Sequence, residues 1–290
     1  MMLSILYRGP LSSCNYGCPY CPFAKTKDSR KALEKDAAQL QQFVQFIQHQ
    51  QDIQFKILFT PWGEGLIRKH YQEAMTTLSH LPNVERVAIQ TNLSCQLGWL
   101  QKADNNKIAL WTTYHPGETE RNTFLQKCRQ LDEMGIAYSV GIVGFKETIA
   151  EIESLRAELP ANRYLWINAL KKQADYYTAE EAATLSGIDP HVSYNMIHHD
   201  SYGKACKTGH TVISVDGDGN MYRCHFIKEK IGNLYNNQFR QHLYPRPCTN
   251  TTCGCHIGYV HLEHLQLYNL YQGKELERIA PIPASPSQAV

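Results

Sequence analysis

Two hydrophobic periods alternate along the first two-thirds of the chain. Short apolar runs, Leu3 to Tyr7, Phe55 to Thr60, Val84 to Thr91, Ile108 to Tyr114, Ile136 to Val143 and Tyr164 to Leu170, have the length and composition of buried strands. Between them, apolar residues recur at intervals of three and four: Leu33, Ala37, Leu40, Val44 and Ile47, then Ile67, Tyr71, Ala74 and Leu78. Phe124, Cys128 and Leu131 repeat the helical spacing up to Gly135, and Ile149 to Leu159 forms another such stretch. Six β-α repeats imply an α/β fold, with a parallel sheet and helices packed outside it. Six strands do not close a barrel as eight would, so a partial (β/α)6 barrel is expected. Ligands of such sheets bind beyond the carboxyl ends of the strands.

The pattern changes near His191. Helical periodicity fades, and Gly, Asn, Cys and Tyr become frequent. Val212, Ile213 and Val215, the turn Asp216-Gly217-Asp218-Gly219, and Met221-Tyr222 read as a β-hairpin. Three segments follow from this: 1–190 as the α/β core, 191–275 as a small cysteine-rich appendage, and 276–290 as a loose tail rich in proline and serine. Asp216-Gly-Asp-Gly-Asn lacks the twelfth-position Glu of a calcium loop and is read as a turn.

Composition narrows the classes. The 290 residues are 43% hydrophobic and 19% charged, ordinary for a globular protein with a sizeable core. A net charge of +2 gives no broad footprint for nucleic acid or membrane. No apolar run approaches the ~18 residues of a membrane span, and no signal peptide is visible. The ten cysteines therefore read as metal ligands in a reducing cytoplasm.

Three of them, Cys14, Cys18 and Cys21, are spaced C-x3-C-x2-C. Pro10, Gly17, Pro19 and Pro22 in and beside the motif make it a loop, because an interior proline costs a helix about 3 kcal/mol. Structural zinc requires four ligands, and no His lies close by. A four-iron cube takes one thiolate per iron, so three cysteines leave one iron open to another ligand.

The run Cys-Asn-Tyr-Gly-Cys-Pro-Tyr-Cys after a short apolar strand resembles the cluster loop of radical S-adenosylmethionine (SAM) enzymes. The longer stretch from Ile5 to Lys25 is similar to the opening of a small bacterial radical SAM family of unassigned function. The resemblance implies a [4Fe-4S] cluster on Cys14, Cys18 and Cys21, with SAM on the open iron. Reductive cleavage of SAM would give a 5′-deoxyadenosyl radical that abstracts hydrogen from a substrate. It also implies SAM contacts. Tyr20 lies in the loop. Gly63 and Glu64 of Pro61-Trp-Gly-Glu-Gly match part of the family's Gly-Gly-Glu motif, with Trp62 in place of its first glycine. Gly141 and Gly144 resemble the adenine-side region, although Val143 stands where Ile is expected under one register. Asn92 and Thr113 are further candidates at strand ends, beside Tyr114, His115 and Asn168. By turn chemistry alone, Gly141 and Gly144 equally serve to turn the chain, and each polar strand end is more readily a cap or turn residue than a SAM contact.

Cys206, Gly219 and Cys224, followed by Cys248, Cys253 and Cys255, resemble the auxiliary-cluster segment of the same superfamily in its SPASM or shortened Twitch form. The first half matches well. The second half has only C-x4-C-x-C, which favours one auxiliary [4Fe-4S] cluster over two. A zinc site using His225 or His256, or plain buried thiols, are the alternative readings. Cys95 and Cys128 are isolated and expected in the core.

The functional expectation is a radical SAM enzyme that draws electrons from a flavodoxin or ferredoxin and acts on a peptide or protein. A small-molecule metabolite is the alternative substrate class; no leader-peptide recognition domain is evident at the N-terminus. A non-catalytic zinc or iron-sulfur electron-transfer protein is the alternative of another class.

Overall fold

The structure is a computed structural model that describes residues 1–24, 26–171 and 173–281. Its first part runs β1 (Met2–Arg8), α1 (Arg30–His49), β2 (Gln54–Phe59), α2 (Lys69–Ser79), β3 (Val84–Thr91), β4 (Ile108–Thr113), α3 (Arg121–Glu133), β5 (Ala137–Gly144), α4 (Ile149–Glu158) and β6 (Leu165–Ala169). Two helices follow, α5 (Ala179–Ile188) and α6 (Val192–Met196). The remainder carries β7 (His199–Asp200), β8 (Val212–Asp216), β9 (Asn220–Tyr222), β10 (Lys230–Asn233), β11 (Thr252–Cys253), α7 (His256–Tyr259) and α8 (Leu267–Tyr271).

The main sheet has nine strands in the order β10-β9-β8-β1-β2-β3-β4-β5-β6. Neighbours from β1 to β6 pair in parallel, and β8 joins β1 in parallel, with Ile5 opposite both Ile57 and Ile213. Only β8-β9-β10 is antiparallel. The expected hairpin is therefore present as β8-β9. It is not set apart from the core: it extends the same sheet past β1, the first strand of the chain.

Side chains of a strand point alternately to opposite faces, and each face here has its own core. Leu3, Ile5, Tyr7, Ile57, Phe59, Ile89 and Leu110 pack with Phe43 and Ile47 of α1 and with the other helices. Leu6, Leu58, Ala88, Ala109, Trp111 and Trp166 face the other way. They pack against Ile257, Tyr259, Leu262, Tyr271, Leu276 and Ala280 of the C-terminal segment. Ser29 caps α1 by accepting from the Ala32 amide at 3.2 Å.

The expected tail is corrected over its first part. Leu276, Glu277, Arg278 and Ala280 are buried. Glu277 pairs with Arg86 at 3.3 Å, and its carbonyl accepts from Ser139 Oγ at 2.9 Å. The face opposite the helices is apolar and must be covered, and these residues cover it. Residues 282–290, the rest of that expected tail, lie outside the described residues. No helix among the described residues is long and apolar enough to cross a membrane.

Candidate active site

Because β1 to β6 are parallel, the loops after them gather at one end of the sheet. A cavity of 540 Å³ opens there. The β1-α1 loop brings Cys14, Cys18 and Cys21 to its wall. Gly63 and Glu64 come from the turn after β2, Asn92 follows β3, and Thr113 ends β4. Gln90 and Asn168 line it from β3 and β6. Gln90, Thr113 and Asn168 make no side-chain hydrogen bond to described residues, which leaves three polar groups uncommitted on the strand interiors.

The cysteine loop is held from three sides. Asp28 accepts from the amides and hydroxyls of Ser12 and Ser13 at 2.7–2.9 Å, and these four bonds hold its carboxyl below the usual range against the opposing effect of burial. Glu118 accepts from the Gly17 amide at 3.0 Å. Gly63 packs directly on the loop: a Cβ there would stand 1.9 Å from the Ser13 carbonyl oxygen, so only glycine allows the approach. The Glu64 amide donates to that same oxygen at 3.1 Å.

Glu64 itself is buried and fully engaged. Its carboxylate accepts from the Asn92 amide at 2.6 Å, Thr91 Oγ1 at 2.8 Å and the Leu66 amide at 2.9 Å. Burial still raises its pKa, with these three bonds and Lys127 opposing. Glu64 thus ties the turn after β2 to the end of β3, beside the thiols. Asn92 Nδ2 lies 3.6 Å from Cys14 Sγ. His115 Nδ1 stands 2.8 Å from the Tyr20 hydroxyl and 3.5 Å from Cys18 Sγ, and burial holds this imidazole neutral, down to about 4. Burial raises the Cys14 and Cys18 thiols.

Gly63, Glu64, Asn92 and Thr113 thus border the cavity with the three cysteines. Tyr20, Gly141 and Gly144 do not. A Cβ on Gly141 would come 1.9 Å from the Trp166 ring, and one on Gly144 would come 2.8 Å from Ile167 Cγ2. Neighbouring side chains account for both glycines without any ligand. Trp62, the departure from the family motif, stacks on Phe23 at 5.8 Å with 13° between the rings, and both line the cavity mouth.

The second cysteine group divides. Cys206, Cys224, Cys248 and Cys253 surround a small cavity of their own, with Phe226 and Leu262. Burial, with the neighbouring cysteines adding to it, pushes Cys224 up to about 11 and Cys253 up to about 12. Cys255 parts from these four and lines the large cavity beside His256 and Ile257. His225 is engaged elsewhere, 2.9 Å from Thr60 Oγ1, and His256 Nε2 meets the Glu275 carbonyl at 3.1 Å. Cys95 and Cys128 are buried in the helix-side core.

Among the described residues, no three His, Cys, Asp or Glu side chains stand ready as ligands of one metal ion. An iron-sulfur cube makes a different demand. Each thiolate meets its own iron, so the sulfurs ring a void instead of converging on a point. Cys14, Cys18 and Cys21 border the 540 Å³ cavity, whereas the space among Cys206, Cys224, Cys248 and Cys253 is about 10 Å³; by donor count, three thiols suit an open cube and four a fully ligated one.

No protein-family model and no curated sequence matches the chain. Solved structures do. anSMEcpe with bound AdoMet superposes at a TM-score of 0.52, with 14% identity over 83% of each chain. The same protein with bound AdoMet and Cp18Cys peptide gives 0.52 and 14%, over 84% of this chain and 82% of that one. The likeness is one of fold. BtrN in complex with AdoMet and 2-DOIA stands further off, at a TM-score of 0.34 and 18% identity over 83% and 87% of the two chains.

Several cavity residues carry no motif and escaped the reading of the sequence. Arg8 ends β1 and donates from Nε to the Thr60 carbonyl at 2.8 Å, with its guanidinium 5.7 Å from the Trp62 ring. Trp111 and Trp166 meet edge to face at 5.6 Å. Arg278, from the expected tail, lies 4.3 Å from the Trp166 ring and 5.8 Å from the Trp111 ring. Strand alternation would have placed Arg8, Trp111 and Trp166 on the face opposite the helices. Nothing in the sequence pattern marks Arg278.

Proposed function

We propose that the chain is a radical SAM enzyme built on a partial (β/α)6 barrel. One observation carries the reading: three thiols on one loop meet the ends of β2, β3 and β4 around a single cavity at the carboxyl end of a parallel sheet. Cys14, Cys18 and Cys21 would hold a [4Fe-4S] cluster. When bound, that cluster would supply the electron for reductive cleavage of AdoMet, the chemistry by which a radical SAM enzyme abstracts hydrogen from its substrate. The protein's share is to bind and orient. Gly63 permits the cysteine loop to lie against the turn after β2, and Glu64 fixes that turn to β3. Asn92 and Thr113 offer polar groups to AdoMet. Phe23, Trp62 and Phe226 wall the mouth and limit the access of water.

Cys206, Cys224, Cys248 and Cys253 would hold one auxiliary [4Fe-4S] cluster, leaving Cys255 for the cavity. The anSMEcpe structures that share this fold hold AdoMet, in keeping with the cofactor, and a peptide is our leading substrate class, a small-molecule metabolite the alternative. The electron donor is expected to be a flavodoxin or ferredoxin, in a cytoplasmic setting.

The test is made on protein purified and reconstituted without oxygen. Iron and sulfide are measured per chain, then 5′-deoxyadenosine formed from AdoMet with dithionite. About eight irons and deoxyadenosine are expected; about four would keep the enzyme and remove the auxiliary cluster. Zinc without iron, and no deoxyadenosine after reconstitution, would overturn the proposal in favour of a zinc-stabilised protein.

A further inference from the structure

Cations from three parts of the chain lie at the cavity without a matching carboxylate. Arg278 is only 3% exposed, lies over the Trp166 ring with Trp111 further off, and borders the cavity. Its Nε has no hydrogen-bond partner among the described residues. Tyr271 hydrogen-bonds to its side chain, and Asp189 acts on it at longer range. The Asp189 carboxylate is already taken by the Tyr164 hydroxyl and the Ile167 and His191 amides. Arg8 borders the same cavity. Lys171 donates to the Asn195 carbonyl at 2.5 Å. Asn195 itself lines the cavity, so this bond brings Lys171 to the same wall.

None of the three forms an ion pair among the described residues. Glu64 is the single carboxylate among the residues bordering the cavity, and its oxygens are engaged by three donors. A guanidinium taken out of water without an anion is costly, and aromatic faces and tyrosines offset only part of that cost. The remainder is recovered when a ligand supplies the negative charge. Arg presents a planar fork that matches a carboxylate.

We propose that the substrate of this cavity carries a carboxylate, received by Arg278 with Arg8 and Lys171 at its flank. The inference rests on the radical SAM reading for the word substrate, and on the cation wall alone for the carboxylate. Within a peptide it selects an Asp or Glu side chain or the C-terminus; among small molecules it selects an organic acid. AdoMet also has a carboxylate, so the two sources must be separated.

Isothermal titration calorimetry of the reconstituted protein does so, with hippurate as the probe and hippuramide as its neutral counterpart, each with and without saturating AdoMet. Hippurate is expected to bind about tenfold or more tightly than hippuramide, and to do so with AdoMet in place. Arg278→Met should remove that preference, and Arg8→Gln and Lys171→Gln should each reduce it. A thermal melt accompanies each variant. If Arg278→Met does not fold, the two flank variants decide, since their side chains are less buried.

Equal binding of hippurate and hippuramide, or none of either, overturns the proposal. Loss of hippurate binding on adding AdoMet assigns the cations to AdoMet's own carboxylate and overturns it equally. Inorganic phosphate binding as tightly as hippurate would replace the carboxylate with a phosphate. Calorimetry reads binding whether or not AdoMet is cleaved. Protein that binds hippurate but forms no deoxyadenosine therefore refutes the radical SAM reading and keeps the anion site; the converse result keeps the enzyme and loses the carboxylate.

Discussion

The two faces of the sheet are made by the same strands and do different work. On the helix side, alternate residues such as Ile5, Ile57, Ile89 and Leu110 join the larger of the two apolar cores. On the other side, the intervening residues begin apolar, with Leu6, Leu58 and Ala88, and turn polar towards the strand ends, with Arg8, Gln90, Thr113 and Asn168. One residue of displacement along a strand exchanges the two roles. Stability is thus concentrated on one face and chemistry on the other, so substitutions on the two faces should fail in different ways.

The sharpest contrast is expected from the cavity side. Cys18→Ala should abolish deoxyadenosine formation while leaving the melting temperature of the cluster-free protein close to that of the parent; deoxyadenosine retained by the variant would sever the loop from the chemistry. On the helix side, Phe43 is fully buried against Tyr7 and Phe59, with ring centroids 4.5 and 6.2 Å away. Phe43→Ala should cost about 3–5 kcal/mol in denaturant unfolding, from lost burial and the cavity left behind. A loss under about 1 kcal/mol would show that this face is not the main store of stability.

Glu64 lies between the two regimes. Glu64→Gln keeps the shape but replaces one accepting oxygen with a donor, which should cost about 1–3 kcal/mol, as for a buried hydrogen bond left unmade. Its pH dependence has a definite sign. Burial raises the folded pKa above the unfolded value, so the protonated form is favoured in the folded state. That contribution is complete below the unfolded pKa and is lost as pH rises through the folded one. The stability advantage of the parent over Glu64→Gln should therefore shrink as pH rises from about 4 towards neutrality, as read by urea unfolding of both proteins. An advantage that grows with pH would contradict the burial assigned to this carboxyl. The smallest effect is local: Ser29→Ala removes the α1 cap and should cost about 1 kcal/mol on thermal unfolding, with no change in deoxyadenosine formation.

The strands were legible because a parallel sheet covered on both faces demands short, continuous apolar runs. Every one of the six was expected within a residue or so of its observed bounds, with Val84–Thr91 matching at both ends. The four helices between them were legible from their three-and-four spacing. α5 was not, although Thr178 and Glu181 form a capping box at its start. Its apolar stripe is weak, and that box was the available signal. The docking of β8 against β1 carried no local mark, since two strands more than two hundred residues apart announce nothing about their pairing.

In the site, the placing of the cysteine loop against the turn after β2 was readable in part, because so close an approach needs a glycine at position 63. Gly141 and Gly144 had the right residue type but a different cause: their small size serves Trp166 and Ile167. The five later cysteines looked like one set because they are close in sequence. In space, four enclose one cavity and Cys255 turns to another.

What the sequence determined by itself is whatever depends on neighbours along the chain: the strands, the main helices, the hairpin, and a three-thiol loop following a strand. What the tertiary structure decided depends on contacts between distant segments, for which no periodicity exists. It placed the C-terminal residues on the sheet face that the helices leave open, brought Arg278 beside Trp111 and Trp166, and set Arg8 on the same cavity, with Lys171 bonded to Asn195 of its wall. A strand's alternation states that a second face must be covered; only the folded chain states which residues cover it, and what charge they bring to the cavity.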